Sequence, residues 1–224
     1  DAVRDGDVKT MQKIVKMTVN LEAKHHESGC TALILAAKYG QAGCMQLLID
    51  AKANLDAKDD RGDTALIWAA WRSHTECAHL LVSAKADITA PNSHGMNALI
   101  LASMAGPMHA QPLVDSRADL EAKDKEGATA LMWAAQSGQI DSVRVLMNAK
   151  AKINNRAHNG RTALMFTTVY GTTNCARLLV KSKAHINAQD KDGCTALLLA
   201  ALYGRHDCVR VLIDAKADLE AKDN

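Results

Sequence analysis

The chain has 224 residues, is 48% hydrophobic and carries 27 basic against 25 acidic residues, a net charge of +2. That length can bury a substantial core, and the near-neutral balance supplies no overall field for nucleic acid or an anionic membrane. Only 3% of residues are aromatic, which suits helices packed through small and aliphatic side chains and argues against a strand-rich fold.

The chain opens on Ala2-Val3-Arg4-Asp5-Gly6, the tail of a helix, and then meets its dominant pattern. Thr-Ala-Leu recurs at Thr31, Thr64, Thr129, Thr162 and Thr195, with Asn97-Ala98-Leu99 filling the gap. Such a period signals units that stack on their neighbours rather than close one core.

Residues 61–92 give the type unit. Thr64 is a good N-cap, Leu66, Ala69 and Ala70 share a helical face, and the chain breaks at Ser73, where the other copies have Gly free to adopt positive φ. A second helix carries Cys77, Leu80 and Leu81 at i, i+3 and i+4, and ends near Ala84-Lys85-Ala86-Asp87 before a polar loop.

The third copy is irregular. From Gly106 to Asp119 it is one residue short, and Pro107 and Pro112 fall in its second helix, with Pro112 in place of the first Leu of the Leu-Leu column. Pro107 suits a first turn, whereas Pro112 predicts a late start or a kink, at a cost of up to ~3 kcal/mol, and marks this copy as the expected hinge or weak interface. The last residues, Asp218-Leu219-Glu220-Ala221-Lys222-Asp223-Asn224, lead into another loop, so the chain reads as a segment of a longer polypeptide.

The pattern Gly-x-Thr-Ala-Leu-x-x-Ala-Ala-x-x-Gly, then Leu-Leu, then Ala-Asp-Leu-Glu-Ala-Lys-Asp, resembles the ankyrin repeat along essentially the whole chain. The expected architecture is an all-α solenoid forming a single domain over 1–224. A partial repeat covers 1–25, and full repeats fall near 26–59, 60–92, 93–124, 125–157, 158–190 and 191–224. The resemblance implies β-hairpin fingers at right angles to the helices, with fingers and first helices lining a concave groove. Two departures stand out. The family's Thr-Pro-Leu-His is replaced by Thr-Ala-Leu followed by Ile34, Ile67, Ile100, Met132, Met165 or Leu198, which removes the polar bracing of the histidine and predicts looser fingers. Lys52, Lys85, Arg117, Lys150, Lys183 and Lys216 stand where the family prefers Gly. A left-handed conformation there costs on the order of 1 kcal/mol, partly offset by a cation at a helix C-terminus.

No His-Glu-x-x-His, Gly-x-Ser-x-Gly, Gly-x-x-x-x-Gly-Lys or Gly-x-Gly-x-x-Gly is present, so neither catalysis nor a cofactor is expected. The nine histidines are scattered over different repeat positions, and His25-His26, beside a one-residue insertion, reads as a solvated loop tip rather than a metal site. Cys44, Cys77, Cys175 and Cys208 occupy one column; neighbouring copies stand roughly 10 Å apart against the ~7 Å a disulfide spans, which implies buried free thiols and a reducing, cytoplasmic compartment. Cys30 and Cys194 are expected to be more exposed. The longest apolar runs are far too short to span a bilayer, and the chain reads as soluble.

All seven aromatics lie in first helices. Trp68, Trp133 and Phe166 follow the Leu of the motif by two residues and are either packed between repeats or directed at the groove. Trp71 occupies a column otherwise filled by Lys38, Met104, Gln136, Val169 and Leu202, a mix typical of an exposed position, and Tyr39, Tyr170 and Tyr203 precede the break. Protein-protein recognition is therefore expected, through Tyr39 with Trp71 and through Val169, Tyr170, Leu202 and Tyr203, rimmed by Lys38, Arg61, Asp63, Arg72 and Arg161. Rival readings are a regulatory or targeting arm of a larger enzyme, kinase or channel, a structural subunit, or an anion site on the Lys column. The last is disfavoured because Asp50, Asp115 and Asp214 precede, and Asp87, Asp119 and Asp218 follow, the basic residues by two.

Overall fold

The computed structural model describes residues 2–17 and 20–223, so the extreme positions 1 and 224 of the expected domain lie outside the described residues. Two compact units, Asp1–Ala118 and Asp119–Asn224, divide the chain. The first contains α1 (Val8–Lys16), α2 (Ala32–Tyr39), α3 (Ala42–Asp50), α4 (Ala65–Trp71), α5 (Thr75–Ser83), α6 (Ala98–Ala105) and α7 (Pro107–Asp115). The second contains α8 (Ala130–Gln136), α9 (Ile140–Asn148), α10 (Ala163–Tyr170), α11 (Thr173–Lys181), α12 (Ala196–Leu202) and α13 (His206–Asp214). From α2 onward the helices form hairpins. Within the first unit α2, α4 and α6 stack in order, as do α1, α3, α5 and α7; within the second, α8, α10 and α12 stack beside α9, α11 and α13.

Local chemistry fixes each hairpin. The Thr31, Thr64 and Thr195 hydroxyls accept from the N–H groups of Ile34, Ile67 and Leu198 at 3.3–3.4 Å, and the relic Asn97 does the same for Ile100 at 3.0 Å, so Asn preserves the cap where Thr is lost. First helices are sandwiched between neighbours: in α4 every residue from Ala65 to Ala70 is buried and only the terminal Trp71 emerges. Second helices keep one wet face, since α11 buries Cys175, Ala176 and Leu179 while Asn174, Arg177 and Lys181 stay in solvent.

The basic residues replacing Gly do adopt positive φ, from 60° at Arg117 and Lys216 to 74° at Lys150. Each ends a second helix in a left-handed turn; the Lys52 N–H reaches the Ile49 carbonyl, and the following Ala53 N–H returns to Leu48, both at 3.0 Å. Ser73 takes the same conformation at φ 65°.

Helix α7 corrects the expectation of a late start. It begins at Pro107 and runs nine residues, with Pro107 at N1 and Pro112 inside. The missing residue is lost from the turn, where Gly106 alone joins α6 to α7, at φ 145° and ψ 173°. Pro112 instead lacks the N–H that would bond the Met108 carbonyl one turn earlier.

Among the described residues the fingers contain no named strand, only single antiparallel bridges, Lys123 with Thr129 and Gln189 with Thr195. Each finger is a tight loop closed by backbone bonds such as Asp59 N–H to Asp63 carbonyl at 3.0 Å. The insertion at His25-His26 lengthens the first loop by one residue, closing it from His25 to Cys30.

Candidate partner-binding surface

Other groups link the fingers where the family's histidine is missing. In the first unit the Lys24 ammonium donates to the Lys58 carbonyl at 2.8 Å, and that of Lys58 to the Pro91 carbonyl at 2.7 Å. The Glu22 and Asp56 carboxylates accept from the Asn54 and Asp87 N–H groups, both at 2.8 Å. In the second, Lys123 reaches the Arg156 carbonyl at 3.0 Å, and Glu121 accepts from the Lys152 N–H at 2.8 Å. Adjacent fingers are thus linked within each unit by side-chain bonds that span one repeat.

A buried acid organises several fingers internally. Asp59 accepts through Oδ1 from the Arg61 and Asp63 N–H groups, both at 2.9 Å, and through Oδ2 from the Trp68 indole at 2.8 Å. Asp124 repeats the arrangement with Glu126, Ala128 and Trp133 at 2.9, 2.8 and 2.7 Å. Trp68 and Trp133 thus each pin their own finger, and Trp68 is only 5% exposed. The signal is present in the sequence as Asp and Trp nine residues apart, and it disappears together in the copy with Ala157 and Phe166. Asp190, whose copy has Leu199 in the Trp column, is instead met by Arg161 Nε at 3.1 Å.

In the first unit, fingers and first helices enclose an open cleft of about 320 Å³, which brings together four of the expected residues, Lys38, Arg61, Trp71 and Arg72. Trp71 packs its ring against Trp68 at 5.4 Å between centroids and remains 41% exposed. Lys38 Nζ lies 4.6 Å from the Trp68 centroid, and the Arg72 guanidinium is 5.5 Å from Trp71 and 5.7 Å from Trp68, so both cations rest on the aromatic pair. The Trp68 indole N–H is also tied to Asp59, which fixes the cleft floor.

Two expected rim residues are placed differently. Asp63 is buried rather than on the rim: its Oδ1 accepts from Asn92 Nδ2 at 2.8 Å, joining two fingers, and burial raises its carboxyl above the usual range. Arg161 is half-buried and engaged by Asp190, whose carboxylate is 1% exposed, so its charge braces a finger. Tyr39 is exposed at the end of α2, and Met104 is half-buried in α6. In the second unit Gln136 and Val169 are half-buried, while Tyr170, Leu202 and Tyr203 are exposed, with Leu202 at 73% on α12.

All six cysteines are free. Burial pushes the Cys77 and Cys175 thiols up to about 11. Cys30 corrects the expectation of exposure: it is buried, 3.9 Å from Asp59 Oδ2, whereas Cys194 is half-buried. Among the described residues no group of three or more His, Cys, Asp or Glu side chains converges as a metal site, and none of the helices is long and apolar enough to cross a membrane.

Stacked helical hairpins with linked fingers define a repeat protein. The family model for ankyrin repeats, in three copies, matches residues 1–92, 89–157 and 148–223, and the chain belongs to the ankyrin repeat family. Among solved structures it is similar to the ankyrin repeat domain of Bcl-3, described as a unique member of the IkappaB protein family. That similarity has a TM-score of 0.82 at 25% identity over 95% of this chain and 96% of that one. No curated protein matches the sequence. Ankyrin repeats are typically a non-catalytic protein-binding fold, and the chain is a protein-interaction domain.

Proposed function

We propose that the chain holds a partner protein against its fingers and first helices and performs no reaction of its own. The observation that carries this reading is the cleft of the first unit, where an exposed indole, Trp71, and three cations, Lys38, Arg61 and Arg72, stand on a floor fixed by Asp59 and Trp68. Tyr39 and Met104 extend that surface. Gln136, Val169, Tyr170, Leu202 and Tyr203 supply a second patch. Aromatic and arginine side chains on preorganised elements are the types that dominate interface energies, and a rigid floor avoids ordering cost on association. Docking of this kind needs neither metal nor cofactor. The free, buried cysteines support residence in a reducing compartment such as the cytoplasm. We assign the array one partial repeat over 1–25 and six full repeats beginning near residues 26, 60, 93, 125, 158 and 191.

The test is recovery of partner proteins on the immobilised chain with Trp71→Ala and Tyr203→Ala. Recovery should fall sharply while far-ultraviolet circular dichroism stays unchanged. Unaltered recovery with intact helicity rejects both patches.

A further inference from the structure

We infer that the cleft of the first unit receives an acidic side chain, Asp or Glu, from an extended segment of the partner protein, with an adjacent apolar residue of that segment packed on Trp71. The inference rests on the docking role proposed above and specifies its chemistry.

The lining is formally balanced, but its cations and carboxylates are not paired with one another. Asp59 is spent on three N–H donors. Asp60 is exposed beside Gly29, and Glu27 leans out to His26 Nε2 at 3.6 Å. Lys38, Arg61 and Arg72 therefore have no carboxylate within 4.0 Å among the described residues. Lys38 and Arg72 are held by ring faces instead. A cation on a ring face is oriented without using up its N–H donors, which lie in the guanidinium plane for Arg, so an anion can be bound bidentately.

The same contacts disfavour the opposite guest. A partner's ammonium or guanidinium would meet Lys38 and Arg72, already seated on the Trp68 and Trp71 rings, as like charges. A phosphate, with a charge of roughly −1.5 to −2, is a poorer match than a single carboxylate because the exposed carboxylates of Asp60 and Glu27 also line the cleft. Trp71, the exposed apolar element beside the cations, selects the neighbouring residue of the segment.

Four fluorescein-labelled pools of short peptides test this by anisotropy against the intact chain. Leu, Ile and Phe occupy alternate positions, and the others are Asp/Glu, Asn/Gln, Lys/Arg or phosphoserine. The Asp/Glu pool should bind at least about tenfold more tightly than the Asn/Gln pool, and lose that advantage in Lys38→Gln and Arg72→Gln and in high salt. Arg72 is exposed and Lys38 is half-buried on a ring face, so helicity should be retained. Arg72→Glu should shift preference toward the Lys/Arg pool. Equal binding of the Asp/Glu and Asn/Gln pools, preference for phosphoserine, preference of the unaltered chain for Lys/Arg, or binding of no pool overturns the inference. The docking role is judged separately: if Trp71→Ala abolishes partner recovery while Lys38→Gln and Arg72→Gln leave it intact, docking stands and the acidic guest does not.

Discussion

The pairing of Asp59 with Trp68 makes a double-mutant prediction whose size follows from the contacts. Asp59→Ala orphans two buried donors, the Trp68 indole and the Asp63 N–H, while the Arg61 N–H can turn to water. At about 1–3 kcal/mol for each orphaned group, the loss should be about 3 kcal/mol. Trp68→Phe removes a hydrogen bond to a charged acceptor and should cost about 2 kcal/mol. In the double variant no indole remains to be orphaned, so the combined cost should be no more than about 3 kcal/mol rather than the additive sum of about 5. The chain already holds a native precedent in Ala157 with Phe166. Urea unfolding followed by both circular dichroism and intrinsic fluorescence reads the effect, two probes being needed because repeat arrays can unfold in stages. Additivity within about 0.5 kcal/mol would refute the coupling, and with it the rigid cleft floor.

Three further outcomes follow from single positions. Lys150→Gly relieves a left-handed residue at φ 74° and should raise stability by about 0.5 kcal/mol after loss of the helix-end cation, whereas Lys150→Val should lower it by more than about 1 kcal/mol; the reverse order in urea midpoints contradicts the account. Pro112→Leu restores a helical N–H and the Leu-Leu column and should stabilise by about 1–2 kcal/mol, so a lowered midpoint counts against it. Burial raises the Asp63 carboxyl, so the folded state keeps this proton to higher pH than the unfolded chain, and its contribution is present at low pH and lost as pH rises through the raised value. Asp63→Asn should therefore gain stability relative to the parent as pH rises from the acid range to neutrality; a pH-independent difference between the two proteins would remove that role.

The helices were readable because their signals are local and repeated. Thr64 before Ala65-Leu66, the break at Ser73 and the apolar spacing of Cys77, Leu80 and Leu81 each state one element's start, stop or face, and six copies reinforce one another. Trp71 was legible as an exposed position because its column varies in polarity. What escaped depends on contacts between fingers. Whether Arg161 faces solvent or Asp190, and whether Asp63 lies outside or under Asn92, depends on how one loop sits on the next, about a repeat away in sequence. Cys30 looked exposed for the same reason, since the group that covers it belongs to the finger of Asp59. The nine-residue spacing of Asp59 and Trp68 could have been seen, but only by comparing which columns change together. At α7, Pro112 drew attention to the helix interior, while the shortening was absorbed by the single-residue turn at Gly106.

Hydrogen exchange on the captured complex tests the central claim most directly. Partner binding should slow exchange in the finger over 59–63 and at the C-terminal end of α4 around Trp71 and Arg72, and leave the solvent faces of α3, α5 and α11 unchanged. Protection confined to those second helices, around Gln46, His79 and Arg177, would contradict recognition through fingers and first helices.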